Sequence, residues 1–130
     1  MSSTESLQLG LLGQIGMTVT DVDRSIPFYR DVLGIPFLFG FPNLAFFDCG
    51  GVRLMLSPAS GEAEGKKFSS ILYFRVPDIH AAHQQVASRG AKFVQDPHLV
   101  ARMPDHDLWM AFLEDPDGNT LALMSEVRKG

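Results

Sequence analysis

Two arginines, two pairs of histidines, a tyrosine and a cysteine are the side chains of this 130-residue sequence whose types and spacing can do chemistry. Arg53 and Arg75 each lie in a short stretch where apolar and polar residues alternate, and Tyr73 precedes Arg75 by two. Two guanidiniums in a shielded cleft hold a carboxylate, a phosphate or another planar anion by paired hydrogen bonds. The competing reading is that each is neutralised by a nearby acid such as Asp48 or Glu114. His98 and His106 bracket Leu99-Val100-Ala101-Arg102-Met103-Pro104-Asp105, with Asp107 following. A His/Asp loop over a cavity mouth can bind metal or act as acid and base near neutral pH, whereas the plainer reading is a polar surface loop. His80 and His83 are three apart, share a helix face and read as a solvated pair turned away from any cavity. Cys49, the only cysteine, excludes an intrachain disulfide and a cysteine zinc cluster, and its place before Gly50-Gly51 suits an inert, partly buried thiol.

The elements that must position these residues belong to one compact domain, since 45% of the residues are hydrophobic and 20% are charged. The net charge is -4 and the eleven basic residues are scattered, which disfavours nucleic acid and anionic membranes as partners. The first thirteen residues lack a basic region followed by a long apolar run, and no segment approaches the roughly 20 apolar residues of a membrane span. A cytoplasmic location is therefore expected.

Residues 14 to 19 alternate, with Ile15, Met17 and Val19 on one face and Gln14, Gly16 and Thr18 on the other. Asp21 or Asp23 then caps a helix carrying Val22, Ile26, Tyr29 and Leu33 at helical spacing, with Pro27 near its start and Gly34 and Pro36 as its stop. Strands follow at 35–39, 44–49 and 52–56, with Gly50-Gly51 as a turn. A small, polar stretch at 58–68 reads as an exposed linker. The order then repeats, with a strand at 71–76, a helix capped by Asp78 and stopped by Gly90, and strands at 91–94, 108–114 and 120–124. Val19-Thr20-Asp21-Val22 answers to Val76-Pro77-Asp78-Ile79, and Leu33-Gly34 with Phe37 answers to Arg89-Gly90 with Phe93. The fold class is α+β: two tandem βαβββ modules, about 10–57 and 69–126, with a cavity between curved mixed sheets.

One face of each sheet takes its helix, and the other module is expected to cover the second face. That face then carries Gln14, Gly16, Thr18, Arg53, Met55, Ser57, Ile71, Tyr73, Arg75, Met110, Phe112, Ala122 and Met124. A packed core rarely holds two arginines, a glutamine and a tyrosine, so water or a ligand is expected to share the space. Trp109, Met110, Phe112 and Phe47 add surface suited to a flat organic molecule or to an ordinary core.

Val19-Thr20-Asp21, Ser25-Ile26-Pro27-Phe28-Tyr29, Leu33-Gly34, Val76-Pro77-Asp78 and Asp115-Pro116-Asp117-Gly118-Asn119 occur in this order. With them the sequence, over about 10–126, resembles the vicinal oxygen chelate superfamily of glyoxalase I, extradiol ring-cleavage dioxygenases and bleomycin-resistance proteins. In the metal-dependent members, the first and last strands of each module offer His, Gln or Glu to a divalent ion. The corresponding positions here are Gln14, Met55, Ile71 and Ala122. Only Gln14 is an acceptable ligand, so the resemblance implies the fold without its metal, without a further cofactor, and without the metal-bound carboxylates that serve as proton shuttles.

The function expected is binding of an aromatic or amphipathic, anionic organic molecule by Gln14, Phe47, Arg53, Met55, Ile71, Tyr73, Arg75, His98, Trp109, Met110, Phe112 and Ala122. The alternative is an enzyme, a lyase, isomerase or dioxygenase, with displaced metal ligands or with Tyr73, His98 or His106 as acid and base. A module for protein interaction would instead have no open cavity. The resemblance also implies a homodimer.

Overall fold

Phase and punctuation in the chain set its strands. The computed structural model describes residue 7 and residues 11–58 and 70–129, so the expected linker, apart from Pro58, lies outside the described residues. In β1 (Gln14–Val19) the alternation buries Met17 and Val19 and exposes Gln14, Gly16 and Thr18. Asp21 caps α1 (Val22–Pro27) by accepting the Arg24 amide at 3.3 Å. Pro27 has no N–H to give, and the chain continues as a π-helical turn over Phe28–Val32, in which Leu33 N donates to Phe28 O at 3.0 Å. The sequence predicts one uniform helix here, and the proline accounts for the difference.

The strands β2 (Phe37–Phe41), β3 (Leu44–Cys49) and β4 (Val52–Pro58) complete the first module. Gly50 and Gly51 both have positive φ, +69° and +97°, as a two-residue hairpin turn requires. The sheet order is β1-β4-β3-β2, with β1 and β4 parallel. The second module repeats it with β5 (Leu72–Arg75), α2 (Ile79–Ser88), β6 (Lys92–Arg102), β7 (His106–Glu114) and β8 (Thr120–Arg128), in the order β5-β8-β7-β6.

The strands depart from expectation in three places. Strand β2 lies two residues later than read, β8 runs on to Arg128, and the stretch from His98 to His106 is not an irregular loop. It is the end of β6, a tight connection and the start of β7. Pro97 lies inside β6, an edge strand with register irregularities between Phe93 and Gln95, Gln95 and His98, and Leu99 and Ala101, where a missing N–H is tolerated.

The two modules share one core. Tyr29, Phe47, Leu54, Leu56, Leu113 and Leu121 are fully buried in it, each contributing roughly 1.5–3 kcal/mol of apolar burial. All six come from the helix or the helix-covered sheet faces. A polar clasp adds to the join: the Tyr29 hydroxyl donates to Asp115 Oδ2 at 2.7 Å, Asn119 Nδ2 to Thr18 O at 3.1 Å and Arg89 Nη1 to Val32 O at 3.4 Å. The modules thus meet through their helical sides, which leaves the opposite sheet faces open.

Candidate functional site

Strand pairing assigns each side chain to its face. On the open face of the first sheet, Gln14 is level with Arg53, Gly16 with Met55, and Met55 with Phe46. Arg53 Nε donates to Gln14 Oε1 at 3.0 Å, and its guanidinium carbon lies 5.5 Å from the centre of the Phe46 ring. Among the described residues no carboxylate forms an ion pair with Arg53. Asp48, its cross-strand neighbour, instead accepts the Gly51 amide at 3.1 Å. The ring centres of Phe39 and Phe41 lie 4.8 Å and 6.4 Å from that of Phe46, so three phenylalanines floor the region beside the guanidinium. Phe41 is 59% exposed.

The open face of the second sheet carries Tyr73, Ala122 and Phe112 in one cross-strand row, and Arg75, Met124, Met110 and His98 in the next. The Tyr73 and Phe112 rings stand edge to face at 6.2 Å, and Ala122 between their strands has no exposed surface. His98 stacks on Phe112 at 6.2 Å and 29°. Arg75 reaches Glu126 at 3.8 Å, and Glu114 is taken by Lys92.

A recess of about 580 Å³ does lie between the modules, but its walls differ from those expected. Ile15, Cys49, Val52 and Leu54, from the helix-covered side of the first sheet, meet the β5 segment from Ile71 to Arg75 there. Of the expected cavity residues only Ile71, Tyr73 and Arg75 line it; Gln14, Gly16, Thr18, Arg53, Met55, Ser57, Met110, Phe112, Ala122 and Met124 do not. The physical reason is the join through the helical sides, which turns the second faces outward rather than toward each other's cores.

Two expected ligand contacts sit elsewhere. Phe47 is fully buried against Tyr29 and Phe37 on the helix side, and Trp109 packs on the core with His80 of α2 at 5.4 Å. Adjacent residues of a strand point to opposite faces, so Trp109 cannot share a face with Met110, nor Phe47 with Phe46. Phe39, Phe41 and Phe46, which pack together on the open face, are not among the residues expected from sequence. The signal for Phe46 was present: a two-residue turn at Gly50-Gly51 pairs Cys49 with Val52, and counting back sets Phe46 opposite Met55.

The histidines divide. His80 edges Trp109, and His83 packs on Phe93 at 4.4 Å and meets Asp96 at 3.3 Å, so the pair on α2 is engaged rather than merely solvated. His106 Nδ1 lies 2.7 Å from Asp105, whose carboxyl is held below its usual range chiefly by that hydrogen bond. Asp105 and Asp107 are also met by Arg128, Arg102 and Lys129, a neutralised surface cluster. Burial, and then the Asp48 charge, push the Cys49 thiol up, which makes it a poor nucleophile.

The four positions that would hold a divalent ion do not fit one. They offer an amide, a thioether and two hydrocarbon side chains, and the amide oxygen of Gln14 already accepts from Arg53. Ala122 is sealed beneath neighbouring side chains. Among the described residues no three His, Cys, Asp or Glu side chains are grouped to hold a metal ion.

The family model described as Glyoxalase/Bleomycin resistance protein/Dioxygenase superfamily matches residues 11–123. A Bacillus subtilis (strain 168) protein described as "Uncharacterized protein YraH" is 28% identical over 129 residues, covering 85% of this chain and 94% of its own. Among solved structures, a lactoylglutathione lyase from Agrobacterium tumefaciens superposes with a TM-score of 0.71 at 21% identity, covering 90% of this chain and 94% of its own. A glyoxalase/bleomycin resistance protein/dioxygenase from Nocardioides does so with a TM-score of 0.74 at 19% identity, covering 98% of this chain and 91% of its own. At these identities the structures speak for the fold.

Proposed function

This chain belongs to the Glyoxalase/Bleomycin resistance protein/Dioxygenase superfamily, and from that premise we propose that it binds, without a metal, a small aromatic or amphipathic molecule bearing an anionic group. The observation that carries this is Arg53. Its guanidinium is steadied by Gln14 and by the Phe46 ring, and no described carboxylate forms an ion pair with it. Its two Nη groups have no hydrogen-bond partner among the described residues, so they can grip a carboxylate by the paired hydrogen bonds that arginine makes best. Phe39, Phe41 and Phe46 supply the apolar floor that a flat ring needs.

The open faces also favour a homodimer. Phe39, Phe41 and Tyr73 are 41%, 59% and 46% exposed, and a partner chain laid over them would close each face into a pocket. In this reading the protein sequesters, senses or confers resistance to its ligand in the cytoplasm. Catalysis as a lyase, isomerase or dioxygenase is the second reading, supported by Tyr73 and His98 on one open face. Thermal-shift and calorimetric screening of the wild type and Arg53→Met against aromatic acids and antibiotics tests the proposal. Saturable binding that the substitution weakens supports it, and an absence of any hit sinks it. Bound metal at one equivalent in protein purified without chelator would move the choice to the enzyme.

A further inference from the structure

The recess between the modules runs along a bare strand edge. Strand β5 pairs only with β8, and Val76 N donates to Met124 O at 2.8 Å, so Leu72, Phe74 and Val76 turn their peptide groups toward β8. Tyr73 and Arg75 have the other parity and turn theirs outward, where they meet no partner among the described residues. Every residue from Ile71 to Arg75 lines the recess, whichever sheet face its side chain takes, so the space lies along the edge of β5 and not on one of its faces.

On the first module the same edge is capped. Thr18 in β1 answers to Arg75 in β5, and its outward carbonyl accepts from Asn119 Nδ2 at 3.1 Å, out of the turn that joins β7 to β8. The matching turn of the first module is Gly50-Gly51, which has no side chain to donate, and its Gly51 amide is held by Asp48 at 3.1 Å. The Arg75 carbonyl therefore lacks the cap of its counterpart, and the space beside it is the recess of about 580 Å³. That volume lies within the roughly 300–1,000 Å³ of small-ligand sites. Ile15, Val52 and Leu54 of the first sheet, with Leu72 and Phe74 of β5, give it apolar walls. Its two charged residues, Asp48 and Arg75, are of opposite sign, and Arg75 is shared with Glu126 at 3.8 Å, so the rim favours an occupant without net charge.

Peptide donors and acceptors beside apolar walls are the complement of an extended chain, which joins an edge by main-chain hydrogen bonds and seats alternate side chains. We propose that the recess is a second binding site, separate from the Arg53 face, that takes a short, uncharged, extended peptide with aliphatic side chains as an added strand on β5. No covalent bond is made or broken.

The test uses the full chain with acetyl-Val-Thr-Val-amide and two analogues, one N-methylated at the threonine amide and the other at both valine amides. Alternate amides of a strand point the same way, so only one analogue loses the N–H groups that face β5. Calorimetry gives saturable binding of the parent peptide, binding weaker by about fivefold or more for one analogue, and near-parent affinity for the other. Amide hydrogen exchange followed by NMR locates the site. In the free protein Tyr73 and Arg75 exchange faster than Phe74 and Val76, and the peptide slows Tyr73 and Arg75 selectively. No binding of the parent, equal affinity of the two analogues, or binding without slower exchange at Tyr73 and Arg75 each overturns the proposal. So does protection of those two amides in the free protein, the result of a second copy or another part of this chain already seated on the edge. The peptide carries no carboxylate, so its failure to bind leaves the anion-binding reading at Arg53 standing.

Discussion

Replacing Tyr29 by phenylalanine isolates the clasp between the modules. Tyr29 has no exposed surface, and its hydroxyl donates to Asp115, itself 5% exposed. Asp115 also accepts from the amides of Asp117 and Asn119 at 2.9 and 2.8 Å and from Asn119 Nδ2 at 2.8 Å, so Tyr29→Phe leaves the carboxylate with three of four donors. A hydrogen bond to a charged group contributes about 1.5–3 kcal/mol, and the ring's own packing is retained, so a loss of about 2 kcal/mol is expected. For a 130-residue chain that corresponds to a fall in Tm of roughly 7 °C. Burial, followed by the Asp115 charge, raises the hydroxyl's proton affinity above the ordinary tyrosine range. A group whose value is raised on folding contributes fully below its unfolded value and less above it. The difference between wild type and Tyr29→Phe therefore holds from neutral pH to about pH 10 and narrows above that. Urea unfolding followed by circular dichroism at pH 7, 9 and 10.5 measures both effects. A loss under about 0.5 kcal/mol at pH 7, or a gap that widens above pH 10, would rule out a stabilising hydrogen bond from Tyr29 to Asp115.

Other outcomes follow from the same geometry. Arg53→Met should weaken binding of an aromatic carboxylate by about tenfold or more in calorimetry with little change in Tm, because the side chain is exposed and its loss uncovers no buried charge. The Cys49 thiol should react with a disulfide reagent at pH 8 at least about tenfold more slowly than an unfolded control, since burial disfavours the thiolate; equal rates would contradict that. Phe39→Ser with Phe41→Ser should shift the protein from dimer toward monomer in light scattering, and a wild type that is monomeric throughout would remove the dimer from the account.

The duplicated module was legible because its punctuation is local. Asp21, one of two candidates for the first cap, and Asp78 cap their helices, and Gly50-Gly51 makes its turn. Parity along β1, β4 and β5 likewise assigned Gln14, Arg53 and Tyr73 to the faces opposite the helices. What failed depended on pairing between distant segments. Aromatic character alone points to Phe47 as readily as to any phenylalanine, and only the register, Phe46 opposite Met55 and Phe47 opposite Leu54, decides which of two neighbours faces out. The continuation of β6 beyond residue 94 runs through Pro97, whose tolerance there depends on the strand being an edge. The way the modules join was not written in either repeat: it depends on Tyr29 meeting Asp115, 86 residues away, which alternation within one strand cannot reveal.

The proposed grip on an aromatic anion runs through Arg53 rather than through a metal. Calorimetric titration with an aromatic carboxylate, before and after exhaustive dialysis against a chelator, tests it most directly. One Kd is expected for both preparations, raised about tenfold by Arg53→Met. Binding that vanishes on chelation and returns with a divalent metal would contradict it.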